Sequence, residues 1–113
     1  MEKENIKNVL VENAREYQRN ALESERKGDY NSAVTLFFKA LAALCDIYIF
    51  KKENFIPSSH TERFRVLEMK YPDFYNVIDK DFSFYQESYT AKMNKETCEV
   101  LRNDVKKLFE IAI

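Results

Sequence analysis

Between Gly28 and Phe50 the chain is apolar on nearly every side of a helix, and this segment limits the fold more than any other. Ala33, Val34, Phe37, Leu41, Leu44 and Tyr48 make one face, and Leu36, Phe38, Ala40, Ile47 and Ile49 carry the apolar surface well past a single stripe. A one-sided stripe packs on one neighbour, whereas a helix that is apolar all round has to be sheathed by several. The chain is therefore expected to be all-α, a five-helix up-and-down bundle forming a single domain over residues 1–113, with this helix at its centre. One glycine and two prolines leave little material for tight hairpin turns, so a β architecture is poorly supported.

The other helices follow from periodicity and caps. Ile6, Val9, Leu10, Ala14, Tyr17 and Ala21 recur every three or four residues and predict a first helix over about residues 3–27. Gly28 can end it in the left-handed conformation, and Asp29 can cap the central helix, predicted over about 30–52. Residues 51–57 read as a loop, because Pro57 disfavours helix at Ile56. Ser59, with Glu62 three residues on, makes a capping box for a third helix over about 60–70, anchored by Phe64, Leu67 and Met69. Pro72 suits the first position of a fourth helix, on which Phe74, Ile78, Phe82, Tyr85 and Tyr89 share a face and residues 79–81 are a candidate kink. Asn94 is a cap for a fifth, with Thr97, Val100, Leu101, Val105 and Leu108 facing inward.

Charge argues mainly by exclusion. With 18 basic and 19 acidic residues the formal net charge is −1, which supplies no global field for nucleic acid or an anionic membrane. The basic pairs Lys51-Lys52 and Lys106-Lys107 lack interleaved aromatics and read as solvated surface. Residues 1–11 alternate charged and apolar side chains, unlike a secretory signal. No apolar run is expected to approach the roughly 20 residues of a membrane span. Cys45 and Cys98 each lie inside a predicted helix and read as reduced packing residues. A cytoplasmic protein is the expectation.

Chemistry-bearing residues are few. There is no Gly-rich phosphate loop, no Cys-x-x-Cys and no His-Glu-x-x-His, so neither a metal nor a cofactor is expected. Asp79 and Asp81 are two apart, point in different directions on a continuous helix, and read as solvated or as caps of a kink. No catalytic residue is assigned. His60, the sole histidine, follows Ser58 and Ser59 and precedes Arg63 and Arg65. The candidate ligand site is therefore Ser59, His60, Arg63 and Arg65: a helix N-terminus attracts negative charge, and guanidinium groups add donors. Arg63 lies one turn from His60, while Arg65 points elsewhere; in the plainer reading Ser59 caps the helix and His60 sits at its rim. Nine Phe and seven Tyr are a heavy load for a small interior. Phe38, Phe50, Tyr75, Phe84 and Tyr89 exceed what one stripe can bury and are expected to form a self-association surface.

Two family resemblances bear on function. Gly28, Tyr30, Ala33, Phe37, Ala40 and Leu41 are similar to the second half of a tetratricopeptide repeat. Asn20 and Ser24 stand where that repeat has Leu and Tyr, and no second copy follows at a spacing of about 34 residues. The second resemblance spans most of the chain. A long first helix, Gly28-Asp29-Tyr30 opening an apolar helix through Ala40-Leu41, and Pro57-Ser58-Ser59-His60 opening a third helix with Leu67 in it resemble HEPN domains. The Tyr85 and Tyr89 pair is similar to the tyrosine-rich segment of some prokaryotic members. That resemblance implies four to five helices, frequent homodimerisation and, in many members, a ribonuclease toxin paired with a small nucleotidyltransferase. Ribonuclease members carry Arg, four to six residues, then His; here Phe55, Asn54 and Glu53 occupy the arginine positions relative to His60, so the motif is absent. The resemblance therefore implies a non-catalytic binding or scaffold module, homodimeric, acting with a nucleotidyltransferase-like protein or a nucleotide. The competing readings are a degenerate ribonuclease toxin built around His60, Arg63 and Arg65, and a tetratricopeptide-like interaction domain with a peptide groove.

Overall fold

Two short interruptions near Gly28 and Pro57 set how the chain divides. The computed structural model describes residues 2–113, and the regular structure among them is helical throughout. At Gly28 the backbone is left-handed (φ +82°). Its N–H bonds to Glu25 O at 3.0 Å and that of Asp29 to Ser24 O at 2.9 Å, the paired bonds that close a helix in a Schellman motif. They end α1 (Glu2–Arg26) and release the chain into α2 (Tyr30–Glu53). Asp29 stands at the cap position, but only its backbone carbonyl is used, accepting from Ala33 N–H at 3.0 Å; its side chain makes no capping bond.

Asn54, also left-handed (φ 64°), ends α2. Ser59 then caps α3 (His60–Lys70), its hydroxyl accepting from Glu62 N–H at 3.1 Å. The reciprocal half of the box is displaced by one residue, since the Glu62 carboxylate accepts from Ser58 N–H at 2.7 Å. Only Tyr71 separates α3 from α4 (Pro72–Glu87), which has Pro72 in its first turn. The Asn94 side chain accepts from Thr97 N–H at 2.8 Å and starts α5 (Lys95–Ala112).

α2 is the hub. It packs on α1 most extensively, then on α5, α4 and α3, and every successive pair of helices is in contact. The result is an all-α five-helix bundle. Phe37, Leu41, Leu44, Ile47 and Ile49 of α2 are fully buried. They meet Ala14 and Ala21 of α1, Leu67 of α3, Ile78 of α4, and Leu101 and Val105 of α5 in one core. Small residues on α1 let the two longest helices lie close together. Contrary to the sequence expectation, α2 is long and apolar enough to cross a membrane, yet 67% of its most apolar stretch is buried inside the bundle. The apolar surface is used up by protein neighbours.

Four other expectations are corrected. Met69 is 74% exposed rather than an anchor of α3, and Val9 of α1 is 53% exposed. On α5 the inward face is Cys98, Leu101, Val105, Leu108 and Ala112, with Val100 turned outward; a stripe at spacings of three and four admits two neighbouring phases, and only contact with α2 picks one. α4 runs unbroken through residues 79–81, and Asp81, expected in solvent or at a kink, is fully buried. Both cysteines are free and buried. Burial raises the Cys45 thiol far above its usual pKa and pushes Cys98 up to about 11, so neither is a ready nucleophile.

Candidate functional site

Because α1 packs on α2 and α5 but not on α3 or α4, one strip of α2 has no helix over it. Thr35, Leu36, Lys39, Ala42, Ala43 and Asp46 recur along it at helical spacing, and all but Asp46 keep some exposure. Over this strip lies a cleft of about 280 Å³. Leu10, Asn13 and Tyr17 of α1 form one wall, His60 and Arg63 of α3 with Tyr85 of α4 form the other, and the two alanines keep the floor low.

The deepest polar feature is an ion pair. Arg63 Nε donates to Asp46 Oδ1 at 2.8 Å and Arg63 Nη2 to Asp46 Oδ2 at 2.9 Å, a two-pronged contact. Both side chains are nearly buried, at 11% and 12% exposure. The third prong, Arg63 Nη1, lies 2.9 Å from His60 Nδ1. A guanidinium only donates, so Nδ1 has to be the acceptor, and the imidazole is the neutral tautomer with its proton on Nε2. Burial against the aromatic wall, then the Arg63 charge beside it, lower the His60 pKa below its usual 6.5 and hold that state at neutral pH. His60 rests on rings, with centroids 6.2 Å from Phe38, 5.9 Å from Phe82 and 6.5 Å from Phe64.

Lys39 completes the cleft. Its ammonium lies 5.9 Å from the centre of the Tyr17 ring and, among the described residues, makes no ion pair. The Asp46–Arg63 pair is neutral overall, so Lys39 leaves the cleft with one unbalanced positive charge. Lys39 is the charged donor left for a ligand once Arg63 is committed to Asp46, with the His60 Nε2–H and the side chains of Asn13 and Tyr17 as neutral donors beside it. No residue set among those described could hold a metal through three or more His, Cys, Asp or Glu side chains.

Of the residues singled out from sequence, His60 and Arg63 come together in the cleft, and Ser59 sits beside them as the α3 cap. Arg65 does not join them: it is exposed and absent from the lining. The proposed interface aromatics do not form one patch. Phe38 is 1% exposed and stacks on Tyr85 with ring centroids 4.8 Å apart and planes within 9°, so it belongs to the core at the edge of the cleft rather than to a self-association surface. Phe50, Tyr75 and Phe84 are half-buried, and Tyr75 and Phe84, nine residues apart, leave opposite flanks of α4. Tyr89, at 74% exposure, is the one that is fully presented, its hydroxyl 2.8 Å from that of Tyr85.

Comparison with protein-family models, with curated proteins and with solved structures finds no match for this chain. The functional reading therefore rests on the residues of the cleft. Lys39 and Asp46 were missed at the sequence level, although a signal was there. They are the only charged residues between Tyr30 and Phe50, and their spacing of seven puts them on one face two turns apart. Asn13 and Tyr17 gave no comparable signal, since only the course of α1 across α2 turns them to the cleft.

Proposed function

We propose that the protein is a non-catalytic helical binding module of HEPN type, and that the cleft above α2 receives the anionic group of its ligand, with a nucleotide phosphate as the working example. What supports this is the Lys39 charge left unbalanced beside the neutral Asp46–Arg63–His60 set. Lys39 attracts the anion, the His60 Nε2–H donates to it, and Tyr17 and Tyr85 offer flat surface to what the anion carries. Binding rather than catalysis is favoured because each of the three Arg63 nitrogens already holds a partner and His60 has no second titrating partner at hydrogen-bond distance.

Calorimetric titration with inorganic phosphate and with adenosine monophosphate tests this. Lys39→Ala should weaken binding about tenfold, the loss of one charged hydrogen bond, and leave the melting temperature unchanged because Lys39 is exposed. No heat with either anion would remove the cleft from consideration. Cleavage of added RNA that disappears in His60→Ala would instead put the degenerate-ribonuclease reading first.

The module is further proposed to act as a homodimer in the cytoplasm, alone or with a nucleotidyltransferase-like partner. The exposed Tyr89 and half-buried Phe84 support a surface at the α4 end. By light scattering, the wild type should have twice the chain mass and Tyr89→Glu the mass of one chain with its helical circular dichroism intact. A Tyr89→Glu dimer would move the interface elsewhere.

A further inference from the structure

Asp81 is a buried group for which the fold supplies no donor. It is fully buried, and neither of its carboxylate oxygens has a hydrogen-bond partner; among the described residues the other orphan buried side-chain oxygen is Asp104 Oδ2, on α5. The two carboxyl groups lie where α4 packs on α5, both facing the same lysine. Lys80 covers them from the solvent side, half-exposed, its Nζ 3.0 Å from Asp104 Oδ2 and 3.8 Å from Asp81 Oδ1. That is close enough for attraction between charges, but the alignment gives neither of those oxygens a hydrogen bond. The other packed elements contribute no charge here. On α2, Lys39 and Asp46 belong to the cleft; on α3, Arg63 is bound to Asp46; on α5, Arg102 is bound to Glu25. Lys80 and Asp104 are the charged neighbours that act on Asp81.

Two carboxylates are acceptors only, so in the doubly ionised state three buried oxygens stay unpaired and two like charges face one ammonium. A single proton relieves most of this at once, leaving one of the three oxygens without a donor. One carboxyl becomes a donor to the other, the pair carries one negative charge, and Lys80 balances it. Burial first, and Asp104 second, push Asp81 up to about 8 from an ordinary 3.8. The folded chain therefore holds a proton across that interval which the unfolded chain has already lost, and stability falls as pH rises through it.

We propose that Asp81 and Asp104 share one proton beneath Lys80, and that this proton is a latch holding α4 on α5. When hydroxide removes it, the two carboxylates repel and α4 loosens. Tyr85 lies one turn beyond Asp81 on α4 and forms a wall of the cleft, so the latch also sets that wall. The latch stands on α4–α5 packing and is independent of any ligand.

Carbon-13 carboxyl NMR on the intact wild-type protein should show an aspartate titrating above pH 6, and Asp104→Asn should lower that midpoint. Amides of α4 should exchange faster than their intrinsic rates predict, by about tenfold per pH unit between the ordinary carboxylate range and the midpoint and levelling off above it, and Asp81→Asn should abolish the excess and flatten the melting temperature between pH 5 and 9. The latch is wrong if every wild-type aspartate titrates in the ordinary carboxylate range, a result that needs no variant to fold. It is equally wrong if Asp104→Asn leaves the midpoint unmoved, or if a folded Asp81→Asn keeps the wild-type pH dependence.

Discussion

Arg63→Ala should destabilise the domain by about 3 kcal/mol, the cost of leaving one buried charge without its partner, and lower the melting temperature by on the order of 15 °C. Asp46 is nearly buried, and both of its oxygens accept from Arg63 alone. Without the guanidinium it must either stay ionised in an apolar wall or take up a proton. His60 also loses the donor that fixes its tautomer. The joint replacement Asp46→Leu with Arg63→Met should recover most of the lost stability, because it removes both charges and keeps the volume filled. The pair would then be a positioning device for His60 that the fold does not need for stability. Chemical denaturation of the single and double variants checks this. A single variant as stable as wild type would mean that Asp46 is solvated and the cleft shallower than described.

Phe38→Ala should cost about 3–4 kcal/mol, the range for deleting a buried aromatic ring, and Phe38→Glu should leave too little folded protein to give a cooperative melt. In the self-association surface expected from the sequence, a charge at Phe38 would split a dimer into folded monomers. Phe38 instead stacks on Tyr85 and lies 5.5 Å from the Phe82 ring. Its loss would also remove the surface on which His60 rests. Thermal melts followed by circular dichroism at 222 nm separate the outcomes. A Phe38→Glu protein that melts like the wild type but sediments as a lighter species would return Phe38 to an interface.

Together these predictions divide the cleft into supports and contacts. Asp46, Arg63 and Phe38 shape it and should fail through stability. Lys39 is exposed and, among the described residues, makes no ion pair and touches only the Tyr17 ring, so its loss should be felt mainly by a ligand. A cleft assembled for packing alone would show no such division.

The sequence by itself determined the helices. Their ends are written in local chemistry that needs no tertiary partner: a left-handed glycine at Gly28, a serine and an asparagine accepting backbone N–H groups at Ser59 and Asn94, and a proline in the first turn at Pro72. It also determined which helix is central, because α2 has more apolar surface than one neighbour can cover. What it left open is the phase of each partly apolar helix and the place of each isolated charge. Val100 and Leu101 are adjacent, Phe38 could as well have faced out, and Asp81 reads like any other aspartate in a charged stretch. Only the tertiary structure decided these, because a side chain's burial depends on which helix crosses over it. That crossing brings Asp46 to Arg63 across 17 positions of chain and sets Asp81 against Asp104, pairs that no local spacing specifies.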